Sequence, residues 1–217
     1  MKTIAIVGGG PSSYIPELSS DLASLWIGAD HGAKVLIEKG MPVDVAVGDF
    51  DSVSGDMLAL IQAKAQETKV YPQEKNETDL ELAVNEAIDR QAERILFFGV
   101  TGGRMDHTLA NIQLLYPLLQ HGVEGRIIDN QNEMELKLAG SHTINYSTSY
   151  PYISFIPISL KVEGLTLHNF KYPLEKESVP IGSTLCLSNQ LCEDTGTYFF
   201  KEGIVLVVRS RDEGDLK

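Results

Sequence analysis

The chain has 217 residues, of which 43% are hydrophobic and 22% are charged, and its formal net charge is −12. This length suits one large domain or two small ones, and either can bury a hydrophobic core. The negative charge would repel the phosphates of nucleic acid. No apolar run approaches the ~20 residues that a membrane helix needs. We therefore expect neither nucleic acid nor a membrane among the partners.

The N-terminal segment and the two cysteines together indicate a cytoplasmic protein. The N-terminus has an apolar run of only five residues followed by three glycines, which predicts a first strand and not a signal peptide. Cys186 and Cys192 stand alone late in the chain. Without an export signal, two such cysteines are better interpreted as reduced thiols than as a disulfide framework.

The first ~130 residues alternate short apolar runs with amphipathic stretches, which is typical of a parallel sheet with crossover helices. The predicted strands are at about 3–7, 25–29, 43–48, 68–71, 95–99 and 126–129. The predicted helices are at about 15–24, 31–39, 54–66, 79–92 and 106–120. The helix at 79–92 has apolar residues at helical spacing, and Thr78 with Glu81 predicts a capping box at its start.

The pattern changes after about residue 140. Short segments rich in β-branched and aromatic residues are separated by Gly, Pro, Asn or Ser, and no helical period remains. Such segments predict an antiparallel sandwich or barrel. The expected fold class is therefore α/β, with a parallel-sheet α/β/α domain at 1–135 followed by an all-β domain at 136–217.

The segment VDVAVGDFD at 43–51 carries the strongest functional signal. It predicts a buried strand that ends in two carboxylates, Asp49 and Asp51. Two such charges repel each other unless a positive group lies between them. Mg²⁺ is the natural candidate, because it accepts a few carboxylates and leaves positions for water and phosphate. The alternative is that Asp49, Asp51 and Ser52 are ordinary loop and capping residues.

Further polar residues follow other predicted strands. Because the carboxyl ends of parallel strands lie at one edge of a sheet, where open α/β sheets bind ligands, these residues should converge. The expected set is Asp30, Asp49, Asp51, Lys75, Asp79, Arg104 and Asp106. Carboxylates, cations and the Gly102–Gly103 turn before a helix together describe a nucleotide phosphate site. Individually, these residues could also be helix-start, loop or turn residues.

Four motifs within residues 29–107 resemble those of thiamine pyrophosphokinases in order and spacing. They are ADHGA at 29–33, GDFDS at 48–52, KNETD at 75–79 and GGRMDH at 102–107. The C-terminal part is similar more loosely, through YPL at 172–174, Gly182, and Ser188 with Asn189. The resemblance implies an α/β domain followed by a β-sandwich, and a homodimer with thiamine near the subunit interface. The implied reaction converts ATP and thiamine to AMP and thiamine pyrophosphate, with Mg²⁺.

The resemblance also implies roles for individual residues. Asp49, Asp51 and Asp79 would bind the metal, and Asp51, Asp79 and Asp106 would be catalytic. Residues facing ATP would be Asp30, Lys75, Thr78, Gly102, Gly103, Arg104 and His107. Ser188 and Asn189 would lie near thiamine, and a tyrosine or phenylalanine would stack on its ring. The family often has Asp where this chain has Asn76, and often a small residue or Arg at His31.

Two alternatives remain at the level of sequence. The DFDSV motif after an apolar strand also fits haloacid dehalogenase-type phosphatases, in which the first Asp, here Asp49, is phosphorylated. That family places this strand near the start of the domain, whereas two strand–helix units precede it here. The other alternative is a non-catalytic sensor that binds nucleotide or thiamine.

Overall fold

The structure is a computed structural model, and residues 1–215 are described from it. The chain divides into two compact units, the first comprising Met1–Asn130 and the second beginning at Gln131. The sequence-based boundary is at 135. The structure divides the chain earlier because the segment NEMELKL is already part of a strand, Asn132–Asn145.

The first unit contains six parallel strands in the order β6-β5-β1-β2-β3-β4. Ile4, Ala5 and Ile6 in β1 are fully buried, as expected for a central strand covered on both faces. The strand order reverses between β1 and β5, which is where open α/β sheets form a ligand crevice. The strands are β1 Thr3–Val7, β2 Leu25–Ala29, β3 Val45–Gly48, β4 Glu67–Val70, β5 Arg94–Phe98 and β6 Glu124–Ile128.

The helices of the first unit include counterparts of four of the five predicted ones. They are α1 His31–Glu38, α2 Gly55–Lys64, α3 Asp79–Asp89, α4 Met105–Gln113 and α5 Leu115–Gln120. Thr78 caps α3 as predicted, since its Oγ1 accepts a hydrogen bond from the backbone N–H of Glu81 at 3.2 Å. The helix ends at Asp89 and not at 92 because Gln91 adopts a φ of 60°.

The predicted helix at 15–24 is wrong. The structure has one short 3₁₀ turn within this range, Ser20–Leu22, and another just before it, Ser12–Tyr14. Ile15 precedes Pro16, which disfavours the helical conformation at Ile15. The Ser19 hydroxyl donates to the side chain of Asp21, a local bond that competes with helix formation.

The predicted helix at 106–120 is two helices, α4 and α5, which meet at Leu114. Pro117 explains the break. Its ring would clash with the carbonyl group of Gln113 in a continuous helix, and it has no N–H to donate. The chain therefore ends α4 at Gln113 and starts a new helix at Leu115.

The core of the first unit forms around the sheet. Trp26 is only 1% exposed and its ring stacks on Phe98 with centroids 6.2 Å apart. Trp26 is therefore part of the core.

A group of charged residues joins the edge strand β4 to α3. The Glu86 carboxylate is buried and accepts hydrogen bonds from Lys69 Nζ at 2.6 Å and Arg90 Nε at 2.5 Å. Burial alone would raise the pKa of Glu86, but the bonds from Lys69 and Arg90 outweigh it and hold the pKa below its ordinary value of 4.5. The ionised carboxylate therefore stabilises the fold.

Stability should fall on acidification partly because of Glu86. Its folded pKa is lower than its unfolded pKa, so its contribution is complete above pH 4.5 and is lost as pH falls through the folded value. Urea unfolding of Glu86→Gln should show a shallower decline below pH 4.5 than the wild type. Glu38→Gln is the control, because Glu38 forms only an exposed pair with Lys34. Equal slopes for Glu86→Gln and wild type would contradict the assignment.

The second unit is antiparallel. Its strands are β7 Asn132–Asn145, β8 Tyr152–Pro157, β9 Lys161–His168, β10 Leu174–Pro180 and β11 Thr195–Ser210. β11 pairs with β7 on one side along most of its length. On the other side it pairs first with β9 and then with β8. Phe155, Phe170 and Tyr198 form the aromatic centre of the core, with ring centroids 4.9–5.6 Å apart.

Gly203 allows β11 to change partners. It has a φ of 111°, and a Cβ at this position would lie 2.6 Å from the carbonyl oxygen of Lys161. The register between β11 and β7 shifts between Phe200 and Ile204, at the same point. A β-bulge with glycine bends the strand here, so that its two halves pair with different neighbours.

Two further sequence-based expectations concern membrane-spanning helices and the two cysteines. Among residues 1–215, no helix combines the length and the hydrophobicity that spanning a membrane would require. Cys186 and Cys192 do not form a disulfide, as predicted. Burial raises the pKa of the Cys186 thiol to about 11, so this thiol stays protonated at neutral pH.

Candidate active site

A cluster of charged side chains lies at the carboxyl edge of the parallel sheet, where its strands end. Lys75 Nζ donates to Asp49 Oδ2 at 2.9 Å and lies 3.0 Å from Asp79 Oδ1. The three side chains are only 11–24% exposed. Asp30 also acts electrostatically on Asp79. We call Asp30, Asp49, Asp79 and Lys75 the carboxylate cluster.

The carboxylates of this cluster differ in their acidity. The hydrogen bond from Lys75 holds the pKa of Asp49 below its ordinary value. Burial raises the pKa of Asp79, and the nearby charges of Asp49 and Asp30 raise it further, although Lys75 opposes them. One ammonium group thus offsets several carboxylates, and the cluster keeps an excess of negative charge.

Asp30 is held in an unusual conformation. It has a φ of 46° and a ψ of −117° and precedes the first residue of α1. Ser52 Oγ donates to Asp30 Oδ2 at 2.5 Å. Gly48 makes room for this arrangement, since a Cβ there would lie 3.1 Å from the Cα of Asp30. A strained polar residue at the edge of a crevice indicates a functional position.

Two oxygen atoms of the cluster are buried without a well-aligned hydrogen bond. They are Oδ1 of Asp30 and Oδ1 of Asp79. The Lys75 ammonium is close to the second of these, but it is not directed at it with hydrogen-bond geometry. Asp79 Oδ1 is therefore compensated by the ion pair, whereas burial of Asp30 Oδ1 without a well-aligned donor is costly, and a hard cation is a ligand that would satisfy it.

As they stand, the side chains are not arranged as a closed metal site. Within the part of the chain that the structure describes, no three His, Cys, Asp or Glu side chains are placed to ligate one ion. The positive group beside Asp49 is Lys75, which also pairs with Asp79 and not with Asp51. Asp51 is exposed, its Oδ2 accepts from Gln73 Nε2 at 2.6 Å, and its N–H donates to Asp49 Oδ1 at 3.2 Å.

The loop between β5 and α4, residues 99–104, lies at the same edge; we call it the glycine loop. Its carbonyl at Gly99 accepts from the N–H of Gly10 at 2.7 Å, so the two glycine-rich segments after β5 and β1 are in contact. Gly102 has a φ of 80°, and a Cβ there would lie 2.4 Å from the ring of Tyr14. Only glycine fits this position without displacing the ring.

The polar residues after these glycines face solvent. Arg104 and Asp106 are 74% and 62% exposed and form a two-point ion pair, with nitrogen–oxygen distances of 3.1 and 2.5 Å. His107 is also exposed, and its N–H donates to Asp106 Oδ1 at 3.0 Å. Arg104 and Asp106 are therefore paired with each other and available to solvent, whereas Asp49 and Asp79 are paired with Lys75.

Substitution of Gly102 by alanine should destabilise the glycine loop. A left-handed conformation costs an alanine about 1–2 kcal/mol, and displacement of Tyr14 adds to this. Gly103→Ala is the matched control, because its Cβ would have only Pro11 Cδ within 4 Å, at 3.9 Å. Urea unfolding should therefore show a lower unfolding free energy for Gly102→Ala and almost no change for Gly103→Ala. Equal losses in both variants would contradict this explanation.

Ser188 and Asn189 lie in the second unit. Asn189 is buried, and its side-chain amide donates to the carbonyl of Tyr172 at 2.8 Å and accepts from the N–H of Tyr172 at 3.0 Å. Ser188 is exposed, has a φ of 53°, and its N–H donates to Ser154 Oγ at 3.0 Å. Asn189 thus holds the backbone of the YPL motif, while the Ser188 side chain is available to a ligand.

Comparison with known proteins decides the family. The models "Thiamin pyrophosphokinase, catalytic domain" and "Thiamin pyrophosphokinase, vitamin B1 binding domain" match residues 17–127 and 141–205. The thiamine pyrophosphokinase of Bacillus subtilis strain 168 is 44% identical over 214 residues, which cover 98% of this chain and 100% of that protein. The chain belongs to the thiamine pyrophosphokinase family.

Solved structures of thiamine pyrophosphokinases share the fold. The crystal structure of the Bacillus subtilis protein has a TM-score of 0.91 at 41% identity, covering 97% of this chain and 100% of that one. The structure from Geobacillus thermodenitrificans has a TM-score of 0.88 at 40% identity, covering 99% and 100%. The sequence-based resemblance and the fold class, α/β followed by an antiparallel β-sandwich, are confirmed.

The alternatives to a thiamine pyrophosphokinase are not favoured. Both matching models and the full-length relative belong to this one family.

Sequence reasoning missed two polar contacts at this edge. Ser52 bonds Asp30, and Thr101 Oγ1 donates to the buried Asp129 Oδ2 at 2.7 Å. The sequence pattern indicates only a loop or capping role for Ser52, and it places Asp129 at the end of a predicted strand. The sequence signal that could have identified Asp129 is its position directly after β6. Like Asp30 and Asp49, it is a polar residue that follows a parallel strand and so lies at the ligand-binding edge of the sheet.

Proposed function

We propose that this thiamine pyrophosphokinase homologue transfers the pyrophosphoryl group of ATP to the hydroxyl group of thiamine at the carboxylate cluster. AMP is the second product. The observation that carries the proposal is the cluster itself: three carboxylates with one bridging ammonium, at the sheet edge that also bears the glycine loop. Such an edge binds phosphates through backbone N–H groups, cations and metal ions.

The chemistry of the donor set fits Mg²⁺. Carboxylate oxygens are its preferred protein ligands, and Oδ1 of Asp30 and Oδ1 of Asp79 are buried without well-aligned donors. Asp49, Asp51 and Asp79 would hold the ion after their side chains rearrange, because no three acidic side chains among the described residues are placed to ligate one ion as they stand. When bound, it would neutralise charge on the phosphate oxygens of ATP.

The residues of the chain have separate tasks in this proposal. Lys75 supplies positive charge beside the phosphates, and the exposed Arg104 is free to turn from Asp106 to the nucleotide. Thr78 and His107 are exposed at the same edge, and Gly102 and Gly103 allow the backbone to approach phosphate. Phosphoryl transfers of this kind depend mainly on positioning and charge neutralisation.

The reaction forms one bond and breaks another. The thiamine oxygen attacks the β-phosphorus of ATP, and the bond from that phosphorus to the bridging oxygen of AMP breaks. The hydroxyl proton must leave the thiamine oxygen. Asp79 is the suitable acceptor, because burial raises its pKa above that of an ordinary aspartate and makes the ionised form more basic.

Thiamine is proposed to bind with the second unit, near Ser188 and Asn189. The match of residues 141–205 to the vitamin B1 binding domain supports this assignment. The proposal includes a homodimer with thiamine near the subunit interface and a cytoplasmic location, both of which come from the family resemblance. Sedimentation analysis with and without thiamine would test the dimer.

One incubation tests the activity. The protein is mixed with ATP, thiamine and Mg²⁺, and the nucleotides and thiamine esters are separated. AMP formed in equal amount with thiamine pyrophosphate is the expected result. ADP with thiamine monophosphate would mean transfer of a single phosphoryl group, and the absence of turnover would overturn the proposed activity.

A further inference from the structure

A buried polar pair connects the glycine loop to the end of β6. Thr101 and Asp129 are 6% and 2% exposed, and the Thr101 hydroxyl donates to the Asp129 carboxylate at 2.7 Å. Asp129 follows the last residue of β6, and Thr101 is in the middle of the glycine loop. Burying a carboxylate costs free energy, so its presence at this position indicates a role other than packing.

The residue after Asp129 holds a second segment of the same region. The N–H of Asn130 donates to the carbonyl of Tyr14 at 3.1 Å, and its side-chain amide donates to the carbonyl of Ser13. The ring of Tyr14 packs against Gly102. The end of β6 therefore fixes both the glycine loop, through Thr101, and the aromatic ring that covers it.

The glycine loop needs such a constraint. It contains three glycines, at 99, 102 and 103, and fixing the backbone of each residue costs roughly 1–2 kcal/mol in conformational entropy. A hydrogen bond to a carboxylate is stronger than a neutral one and is little weakened by solvent when buried. Constraint in the free protein reduces the cost of ordering the loop when a ligand binds.

We propose that Asp129 is a positioning residue for nucleotide binding, which acts through Thr101 to hold the glycine loop in its binding conformation. Asp129 itself is buried and does not contact the nucleotide. The inference rests on the proposed function, because it takes the glycine loop as the segment that faces ATP.

The chain offers a matched control at the opposite edge of the sheet. The Asp44 carboxylate accepts from the N–H of Trp26 at 2.7 Å and from Gln66 Nε2 at 2.7 Å. It precedes β3, so it lies at the amino ends of the strands, away from the glycine loop. Asp44→Asn removes the same charge from a hydrogen-bonded aspartate and is expected to leave nucleotide binding unchanged.

The test compares Thr101→Val, Thr101→Ser, Asp129→Asn and Asp44→Asn with the wild type. Calorimetry with a non-hydrolysable ATP analogue gives the nucleotide Kd, and steady-state kinetics gives KM for ATP and for thiamine. Loss of one buried, charge-assisted hydrogen bond should weaken nucleotide binding about tenfold in Thr101→Val and Asp129→Asn. In these two variants KM for ATP should rise together with the nucleotide Kd, while KM for thiamine should not change. Thr101→Ser keeps the hydroxyl group, so its nucleotide Kd and its KM for ATP should stay at the wild-type values.

The outcomes are separable. Folded Thr101→Val with wild-type nucleotide affinity would overturn the inference, as would an equal loss of affinity in Asp44→Asn, which would indicate general destabilisation. If Asp129→Asn does not fold, the comparison of Thr101→Val with Thr101→Ser tests the inference. The first variant replaces only the hydroxyl group by a methyl group, and the second removes only the methyl group. A wild-type protein that binds no nucleotide overturns the proposed function and the inference with it.

Discussion

Replacing Asp79 with alanine is expected to lower kcat by about 100-fold or more, the usual effect of removing one preorganised electrostatic group from an active site. Asp79 is only 24% exposed, and its Oδ1 lies 3.0 Å from the Lys75 ammonium. Its removal takes away both a proposed metal ligand and the proposed proton acceptor. The initial rate of AMP formation at saturating ATP and thiamine measures the effect.

The fold should tolerate this substitution. Burial raises the pKa of Asp79, so the ionised carboxylate is held at a cost to stability. Thr78, and not Asp79, caps α3. The unfolding free energy should therefore stay within about 1 kcal/mol of the wild type.

Two further variants serve as a control and as a test of a second carboxylate. Asp56→Ala is the control, because Asp56 is likewise an acidic residue in the first turn of a helix, α2, but is exposed. It should keep wild-type turnover. Asp51→Ala should behave like Asp79→Ala. Turnover near the wild-type value in both Asp51→Ala and Asp79→Ala would show that the carboxylates do not carry the reaction.

Replacing Lys75 with methionine should lower both stability and turnover. The ammonium group compensates Asp49 and Asp79, which are partly buried and repel each other without it. Loss of one partner of a buried ion pair costs about 3–5 kcal/mol, and the partial exposure here reduces the expected loss to about 2 kcal/mol. Urea unfolding in the presence of a chelator measures this loss.

Divalent cations should partly reverse the loss. A cation bound by the uncompensated carboxylates stabilises the folded state by mass action. Millimolar Mg²⁺ should therefore raise the unfolding free energy of Lys75→Met more than that of the wild type, in which Lys75 competes for the same oxygens. Lys39→Met removes the same charge from the far end of α1 and should show neither effect. An equal Mg²⁺ response in wild type and Lys75→Met would contradict the proposed competition.

The spacing of apolar residues predicted most helices and strands of the first unit correctly. It failed where a proline or a side-chain hydrogen bond interrupts the helix. The repeat of apolar residues along 79–92 and the cap at Thr78 predicted α3, because both signals lie within the helix itself. The same reasoning predicted one helix at 106–120 and gave too little weight to Pro117. At 15–24 it missed the effects of Pro16 and the bond between Ser19 and Asp21.

The location of the candidate site was predicted from sequence, since residues after parallel strands share one edge. This rule alone predicts that Asp30, Asp49 and Asp79 converge. The pairing within the site did not follow. Lys75 bonds Asp49, 26 residues away, and Arg104 pairs with Asp106 instead of joining the carboxylates.

The sequence by itself determined the family, the order of the two units and the edge at which the charged residues meet. These depend on short motifs and on the periodicity of apolar residues, which are properties of neighbours along the chain. Only the tertiary structure decided which carboxylates the ammonium compensates, which buried oxygens lack a well-aligned hydrogen bond, and that Asp129 bonds Thr101 of the glycine loop. Such pairings depend on distances and burial between residues on different elements, which the order of residues alone does not specify.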